Sequence, residues 1–464
     1  RKNKIKNIER AKHGSAIVER NNYLLGIKHI PLLNGPNFFI NLLSKLIYKL
    51  YILLCIIMIK KNFSELSIKL TNDIDKKNKK NDGIFFTPQG TINNNIELLE
   101  PYMKNIKKVL EPSCGSCEFI NLLINKYPHL DIIGIEYNKT IYDAIKDVAT
   151  ENIKLYNEDY LKFKTDESYD LIIGNPPYYV MKKDDVDKEY YDYFNGRPNI
   201  FILFIVKSLK MLNNNGILSF VLPKSFLNCL YYDETRKHIN DNYKIVDIIL
   251  CDSNYIDTQQ ETINIIIQKT NNEDDVNNEE FILNMNDYII FNIKSNIKKL
   301  KNLLENSTTL NEIKFTTKVG NVVWNQCKDK LTDDDSKTLL IYNSNLSKDN
   351  NIEIKNYNNK EKKNYIDKKG LTGPILLLNR GYGVGKYVFH HCLYNEKKEY
   401  LIENHLISIN YNDGEIQDDE KIKLYEKIIK SFNNKKTKDF IDLYFGNSAI
   451  NTTELNYILP IYDF

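Results

Sequence analysis

Glycine and proline are scarce in this sequence, with 18 and 12 residues among 464, whereas Lys, Asn, Ile and Tyr are over-used. This bias is typical of an AT-rich coding genome, so a run of Asn or Lys says little about function. Hydrophobic residues still make up 42% and charged residues 27% of the chain, which is enough for an ordinary globular core. At roughly 100–200 residues per domain, the length predicts two or three domains.

The chain also lacks a strong net charge, since its formal charge is only +3. Residues 1–57 hold ten Lys or Arg and two Asp or Glu, a net charge of +8. The remainder holds 54 basic and 59 acidic residues, a net charge of −5. Overall charge therefore gives no support for nucleic-acid binding, and a DNA site has to be a local patch in a groove.

No cysteine pattern indicates a metal site. The seven cysteines show no repeated spacing, and the single CxxC pair, Cys114-Gly-Ser-Cys117, has no second pair or His cluster beside it. Plain reduced thiols predict an intracellular protein, in the cytoplasm or at the DNA, without a secretion signal. A redox dithiol is the alternative. The D…ExK spacing of Asp349, Glu353 and Lys355 is expected by chance in so charged a chain, and we predict no metal.

The N-terminal region contains an apolar run, residues 37–59, that is long enough to be a transmembrane candidate, although Lys45 and Lys49 interrupt it. The first methionine, Met58, lies at the end of this run. Residues 1–57 are therefore interpreted as an upstream, non-functional segment, and the run is not taken as a functional membrane span. An apolar anchor and a buried helix are the alternatives. Residues 58–83 are interpreted as a polar, basic linker.

From residue 84 to about residue 269, short β-rich runs alternate with stretches of helical character. The predicted strands are KKVLEP, DIIGIEY, YDLIIGN, GILSFVLP, YKIVDIILC and TINIIIQK. This alternation predicts an α/β fold in which a mostly parallel sheet is doubly wound by helices on both faces. The rhythm changes after about residue 295, where residues 296–305 read as a helix and short mixed strands follow. The pattern predicts one domain over residues 84–294 and an α+β domain over residues 295–464.

The strongest local motif is Asn175-Pro176-Pro177-Tyr178, which directly follows the apolar run Asp170–Gly174. Ligands of doubly wound sheets bind beyond the carboxyl ends of the strands. The prolines stiffen the turn and remove N–H donors, so the Asn175 amide oxygen and the Pro176 carbonyl can hold a planar amino group. Tyr178 offers a ring on which a base can stack. The alternative is an ordinary turn with an exposed tyrosine.

A second set of motifs fits a nucleoside-bearing cofactor. The segment Val109–Phe119 is a strand that ends at Glu111, followed by a tight turn with Gly115 and the start of a helix. About twenty residues on, a second strand ends at Glu136, where an acid can bind ribose hydroxyls. Asp159 follows a third strand and can accept a hydrogen bond from an adenine amino group. Their order and spacing carry more information than any one of them.

Together these motifs resemble the gamma-class N6-adenine DNA methyltransferases of type II restriction–modification systems, over roughly residues 84–292. The resemblance implies a Rossmann-like methyltransferase fold with a seven-stranded sheet and S-adenosyl-L-methionine as cofactor. Residues 85–88, with Thr87, match the family's TP element. Segment 109–119, Glu136 and Asp159 resemble its first three cofactor motifs, and residues 175–178 its catalytic NPPY.

The resemblance also implies roles for two tyrosines. Tyr160 would flank the cofactor adenine, and Tyr255 would stack on the far face of a flipped target base, although it could equally be a surface tyrosine. Cys117 departs from the family, which usually has Gly at this position of its first cofactor motif. The departure puts the loop conformation and the strength of cofactor binding in doubt.

The C-terminal region resembles a target-recognition domain, which places double-stranded DNA with a short specific sequence as the partner. Trp324, Arg380 and Tyr382 are residue types that read base edges and stack on bases. A buried tryptophan and a glycine-rich strand turn explain the same segments equally well. A monomer is predicted, with a cognate restriction endonuclease as a partner on a separate chain.

The predicted function is site-specific transfer of a methyl group from S-adenosyl-L-methionine to N6 of a flipped-out adenine in DNA. One alternative keeps the chemistry and changes the substrate to RNA adenine or to a release-factor glutamine. An alternative of another class is a catalytically inert DNA-binding protein on a methyltransferase fold. Measured cofactor binding separates the last alternative from an enzyme.

Overall fold

The computed structural model describes residues 62–251, 255–258, 260–272, 275–347, 351–381, 388–444 and 449–464. The apolar run 37–59, the upstream segment 1–57 and Tyr382 lie outside the described residues. Among the helices that are described, none is long and apolar enough to cross a membrane.

Seven strands form one sheet in the order β3-β2-β1-β4-β5-β7-β6, which confirms the predicted mostly parallel α/β fold. Only β7 runs antiparallel to its neighbours, β5 and β6. The strands and the helices between them are β1 (Lys108–Glu111), α4 (Glu118–Lys126), β2 (Asp131–Ile135), α5 (Lys139–Ile145), β3 (Ile153–Tyr156), β4 (Tyr169–Gly174), α6 (Ile200–Lys210), β5 (Leu212–Pro223), α7 (Asp233–Asn242), β6 (Lys244–Cys251) and β7 (Thr262–Gln268). Three further helices precede β1, namely α1 (Glu65–Asp73), α2 (Lys76–Asp82) and α3 (Gln89–Leu99).

Continuous apolar runs form the sheet strands because their residues are buried on both faces. Leu171–Ile173 of β4 and Ile263–Ile267 of β7 include no exposed residue, as expected for strands that are covered on both sides. Helix α6 is likewise buried almost all round, whereas α4 buries Phe119, Ile120 and Leu123 on one side. These differences follow the apolar spacing in each segment.

Contacts along the chain divide it into two compact units. The first comprises the described residues of Arg1–Asn105, Ser113–Asp159 and Asp252–Gln259, and the second those of Ile106–Pro112, Tyr160–Cys251 and Gln260–Phe464. In the first unit β2 and β3 pair in parallel. In the second unit β1, β4 and β5 pair in parallel, and β4 ends at Gly174, one residue before the Asn-Pro-Pro-Tyr turn.

The segment that the sequence analysis treats as a linker contains helices in its described part. Ser64 caps α1 and Asp75 caps α2 through side-chain oxygens that accept backbone N–H groups. Gly83 ends α2 in the left-handed conformation. Capping residues at the helix termini therefore mark where these helices begin and end. They explain why a polar sequence without a clear apolar period is helical here.

The C-terminal part of the second unit is α+β, as expected. Its helices and strands are β8 (Ile282–Met285), β9 (Tyr288–Phe291), α8 (Lys294–Leu304), β10 (Ser307–Thr308), β11 (Phe315–Val319), β12 (Leu331–Thr332), β13 (Thr338–Ile341), β14 (Tyr365–Ile366), β15 (Ile375–Asn379), β16 (His391–Tyr394), β17 (Tyr400–Ile402), β18 (Leu406–Tyr411), α9 (Asp418–Phe432), α10 (Lys435–Tyr444), α11 (Thr452–Tyr457) and β19 (Ile461–Tyr462). Two four-stranded sheets have the orders β11-β18-β15-β16 and β12-β14-β13-β17. One apolar core joins residues of β8, β9 and α8 to residues of α9, α10 and β19. The predicted boundary between residues 294 and 295 lies inside this core, and the division into two functional domains stays a prediction.

Candidate active site

The turn after β4 places a buried carboxylate beside the Asn-Pro-Pro-Tyr motif. Glu111, the last residue of β1, is 2% exposed. A Cβ built on Gly174 would lie 3.4 Å from Cγ of Glu111. The predicted residues Glu111 and Asn175 therefore come from neighbouring strands and lie at the same end of β1 and β4.

The Asn175 side chain has a defined orientation. The hydroxyl of Tyr178 bonds to Oδ1 of Asn175 and to the backbone oxygen of Val221 in β5, the latter at 2.7 Å. A hydroxyl has one proton, so the two acceptors share it. The Tyr178 ring meets Phe201 of α6 edge to face at 6.0 Å between centroids. The Tyr178 hydroxyl thus links the Asn175 amide to β5, which pairs with β4. The sequence does not predict this link.

In the first unit, Glu136 lies directly after β2 with its carboxylate facing the Gly115 turn. It accepts hydrogen bonds from the backbone N–H of Gly115 at 2.9 Å and of Asn138 at 2.7 Å. Burial raises the pKa of Glu136 to about 7, against the opposing effect of the two N–H donors. The predicted pair of Gly115 and Glu136 is therefore in direct contact.

The Gly115 turn ends in an unusual backbone conformation. Cys117 has a φ of 60° and is fully buried. A left-handed residue with a Cβ costs roughly 1–2 kcal/mol, which a glycine at this position would avoid. At the position where the resemblance predicts glycine, the turn thus holds a cysteine in the left-handed conformation.

A polar network secures the start of α4, next to this turn. The carboxylate of Glu118 accepts hydrogen bonds from Ser64, Ser67 and Gln89, and Ser67 bonds to Ser116 at 2.8 Å. The helical N-terminal segment therefore holds the turn in place. Sequence reasoning missed this network because its members lie up to 54 positions apart.

Tyr255 lies against the segment that carries Thr87. It lines a small recess together with Thr71, residues 84–86, Ile256 and Asp257. Phe86 also approaches Gly115, since a Cβ there would lie 3.8 Å from the Phe86 ring. Buried Lys79 bonds to Asp257 and donates to the backbone oxygen of Thr71 at 2.7 Å. The structure thus brings Tyr255 and the TP segment together within the first unit.

The remaining predicted cofactor residues differ in exposure. Asp159 is half-buried after β3. Tyr160 is 2% exposed, and its hydroxyl lies 2.8 Å from that of Ser208 while its ring contacts Phe204 and Lys207. These contacts favour a structural role for Tyr160, and its position beside the cofactor adenine stays a prediction.

Two of the three predicted base-contacting residues are described. The Trp324 indole is half-buried against a core that includes Val322, and the Lys362 ammonium lies 5.8 Å from its ring centroid. Arg380 is exposed at the end of β15. The packing of Trp324 is in line with the alternative of a buried tryptophan, whereas the exposure of Arg380 leaves both interpretations of its segment open.

Comparison with known proteins finds a family match that includes both Glu136 and the Asn175–Tyr178 turn. Residues 40–256 match the model of the family described as Eco57I restriction-modification methylase. The type II methyltransferase M.CvrRI of Paramecium bursaria Chlorella virus XZ-6E is 27% identical over 400 residues, which cover 84% of this chain and 97% of that protein.

Other similar proteins match over shorter stretches or with lower identity. The modification methylase CviBIII of Paramecium bursaria Chlorella virus NC1A is 29% identical over 216 residues, covering 45% of this chain and 55% of that protein. Among solved structures, the type IIG restriction endonuclease BpuSI aligns with a TM-score of 0.41 and 10% identity over 85% of this chain and 61% of its own. The chain thus spans nearly all of M.CvrRI and about half of CviBIII.

Proposed function

We propose, because residues 40–256 match the model of the Eco57I restriction-modification methylase family, that this chain methylates N6 of adenine in a short specific DNA sequence. The observation that carries the proposal is the Asn175–Tyr178 turn directly after β4, with the Asn175 amide oriented by the Tyr178 hydroxyl. Two acceptors, the Asn175 oxygen and the Pro176 carbonyl, suit an amino group with two protons. A target adenine has to leave the duplex to reach such a turn.

The cofactor is S-adenosyl-L-methionine, which supplies an activated methyl group when bound. The residues present fit it, because a buried carboxylate faces a glycine turn where a nucleoside-bearing ligand needs an acceptor for its ribose hydroxyls. Glu136 is the proposed ribose acceptor. Thr87, Glu111, Gly115, Asp159 and Tyr160 are the further residues proposed to bind the cofactor.

The proposed roles in the turn require no general base with a raised pKa. Asn175 and Pro176 hold the amino group and localise its lone pair, while Pro177 keeps the turn rigid. Tyr178 and Tyr255 are the proposed aromatic faces for the flipped base. The proton leaves the amino nitrogen after methylation has made that nitrogen cationic. A monomer that acts with a separate cognate restriction endonuclease remains part of the proposal.

Cofactor affinity is expected to fall as the pH drops below about 7. The pKa of Glu136 is raised from 4.5 to about 7, so protonation removes the charged acceptor in this range. The stability of the fold has the opposite pH dependence. A carboxyl group such as Glu136, whose pKa is raised in the folded state, stabilises the fold at a pH below its unfolded pKa, and this contribution is lost as the pH rises through about 7. Cofactor binding favours the ionised form and therefore opposes that trend.

Calorimetry between pH 5.5 and pH 8 measures this effect. The wild-type dissociation constant should rise toward low pH, and binding near pH 6.5 should release protons. Glu136→Gln should bind more weakly at pH 8, with a loss of roughly 1.5–3 kcal/mol for a charge-assisted bond, and should show a flat profile. A wild-type profile as flat as that of the variant would rule out Glu136 as the titrating acceptor.

Sequencing of DNA from cells that express the chain tests the proposed function. A sequencing method that detects N6-methyladenine should find one short motif modified, and cells expressing Asn175→Ala should lack it. Modified RNA or a modified release-factor glutamine with unmodified DNA would support the substrate alternatives. A chain that binds DNA but not S-adenosyl-L-methionine would support the inert DNA-binding protein.

A further inference from the structure

The loop that follows β5 leaves the sheet beside the Asn-Pro-Pro-Tyr turn. Strands β4 and β5 pair in parallel, with Gly174 opposite Phe220, so their carboxyl ends lie at the same edge of the sheet. The chain continues from β4 into the turn, and from β5 into residues 224–232. Ligands of doubly wound sheets bind at this edge. Residues 224–232 therefore adjoin the turn at which the target base is proposed to react.

The segment that follows the turn comes back to it, and the contacts fix its backbone. The N–H of Ile200 donates to the carbonyl oxygen of Tyr179 at 3.0 Å. Val180 and Asn199 form an antiparallel bridge. The Val180 side chain nevertheless stays 59% exposed. An apolar side chain on a fixed backbone thus faces solvent shortly after Tyr178.

Two adjacent tyrosines at the end of residues 224–232 have opposite environments. The ring of Tyr232 lies 5.0 Å from that of Phe201, which contacts the Tyr178 ring edge to face. Tyr232 thus belongs to the aromatic packing around the turn. Tyr231, by contrast, is 60% exposed. The loop therefore packs one ring beside the turn and leaves the next one in solvent.

The exposed ring of Tyr231 has a defined position. It lies against Gly196, where a Cβ would be 3.3 Å from Cε1 of the ring, and Gly196 has a φ of +73°. That left-handed conformation favours glycine, which also leaves room for the ring. In the same loop, the carbonyl oxygen of Cys229 accepts hydrogen bonds from the Tyr232 N–H at 3.1 Å and from Arg236 at 2.8 Å. Tyr231 thus projects from a backbone that hydrogen bonds hold in place.

Val180 and Tyr231 are joined by one short segment beside the turn. Single exposed apolar residues are common on protein surfaces and need no function. Here two of them come from loops that leave the same edge of the sheet. Asn199 of the joining segment pairs with Val180, and Gly196 contacts the Tyr231 ring. The exposed Arg197 next to this contact adds a cation. Rings that stack on bases and cations that meet phosphates are the groups with which proteins hold nucleic acids.

We propose that Tyr231 enters the DNA duplex at the position that the target adenine vacates and stacks on the neighbouring base pairs, next to Val180. The proposal rests on the proposed function, which supplies duplex DNA as the substrate and requires the adenine to leave the stack. Several DNA-binding proteins insert apolar side chains between base steps to hold a deformed duplex. The ring replaces stacking that is lost when the adenine is extruded. Tyr231 thereby stabilises the extrahelical adenine without contacting its amino group.

Methylation of two duplexes that contain the motif found by sequencing tests this role. One pairs the target adenine with thymine, and the other has an abasic site opposite it, which makes extrusion easier. Tyr231→Ala should lower kcat/KM about tenfold on the paired duplex and by at most about twofold on the abasic one. Its affinity for S-adenosyl-L-methionine should stay unchanged.

Matched variants and a fluorescent base separate stacking from other effects of the substitution. Tyr231→Phe keeps the ring and should have wild-type kcat/KM on both duplexes. Ile354→Ala truncates another apolar side chain of the second unit, 52% exposed, and should match the wild type. With 2-aminopurine in place of the target adenine, wild-type binding should raise the fluorescence of that base, and Tyr231→Ala should raise it less. This signal reports extrusion of the base, which a merely structural role of Tyr231 would not change.

Three results overturn the inference. They are wild-type kcat/KM for Tyr231→Ala on the paired duplex, an equal loss on both duplexes, and a loss for Tyr231→Phe as large as that for Tyr231→Ala. A wild-type chain that methylates DNA no faster than Tyr231→Ala removes only the role of Tyr231. A wild-type chain that methylates no DNA removes the proposed function and the role of Tyr231 together.

Discussion

Asn175→Ala is expected to lower the rate of methyl transfer by ~10²–10³ while leaving cofactor affinity nearly unchanged. The removed amide oxygen is the proposed acceptor for the target amino group, and removing one such polar contact typically has an effect of this size. Glu136 and Gly115 belong to other segments and keep their mutual hydrogen bond. The effect should therefore appear in the chemical step.

Single-turnover assays with tritiated S-adenosyl-L-methionine measure the rate, and calorimetry measures cofactor binding. Asn195→Ala is the matched control, because Asn195 is exposed on the same unit and 20 positions away in sequence. It should keep wild-type turnover. Wild-type turnover in Asn175→Ala would end the catalytic role of the turn, and a parallel loss of cofactor affinity would show that Asn175 acts on the fold of the site.

The parts of the site that the sequence could predict are those in which a strand and its functional residue are adjacent. An apolar run directly followed by Asn175 or by Glu136 predicts a strand. It also places that residue at the carboxyl end of the strand, where ligands of doubly wound sheets bind. The pairing of β1 with β4 then brings Glu111 and Asn175 to the same edge. The sheet was predictable for the same reason, since its strands are continuous apolar runs.

The residues that support the site were not predictable, because they depend on contacts between distant segments. Lys79 bonds to Asp257, 178 positions away. Glu118 is held by serines of a segment whose composition is typical of a linker. Neither set of contacts follows a periodic pattern. In a chain with so many Lys and Asn residues, no local signal distinguishes these side chains from solvated ones.

The C-terminal residues that the sequence predicts to contact bases show a different limit of sequence-based prediction. Residue type alone favoured Trp324, whose ring is engaged by Lys362 and by the core around Val322. Residue type also gave no sign that Glu403, which is buried in the folded chain, would contact the His405 ring two residues later. Burial decides which polar residue is fixed in place, and burial of a single residue in a loop cannot be read from composition.

The second large effect is expected in the stability of the second unit, where Arg236 of α7 is fully buried. Its guanidinium donates to the backbone oxygens of Phe226 at 2.9 Å, Cys229 at 2.8 Å and Ile289 at 2.5 Å, and to Asp233 at 3.3 Å. Burial lowers the pKa of Arg236, while the nearby Asp233 carboxylate opposes the shift. One side chain thus joins the loop after β5 to β9.

Arg236→Met should lower the free energy of unfolding by about 3–5 kcal/mol. The substitution nearly preserves the volume but leaves three backbone carbonyl groups buried without this donor. It also removes one charged partner of the buried Asp233 carboxylate, which keeps Lys237 at 2.9 Å. The loop it supports begins at the end of β5, the strand that supplies Val221 to the Tyr178 hydroxyl. Catalysis should therefore become more sensitive to temperature than cofactor binding does.

Urea unfolding followed by the fluorescence of Trp324, the single tryptophan, reports on this unit directly. Arg197→Met makes the same chemical change at an exposed arginine and should shift the free energy of unfolding by less than about 0.5 kcal/mol. A loss below about 1 kcal/mol in Arg236→Met would show that the buried guanidinium does not hold β9 to the loop after β5.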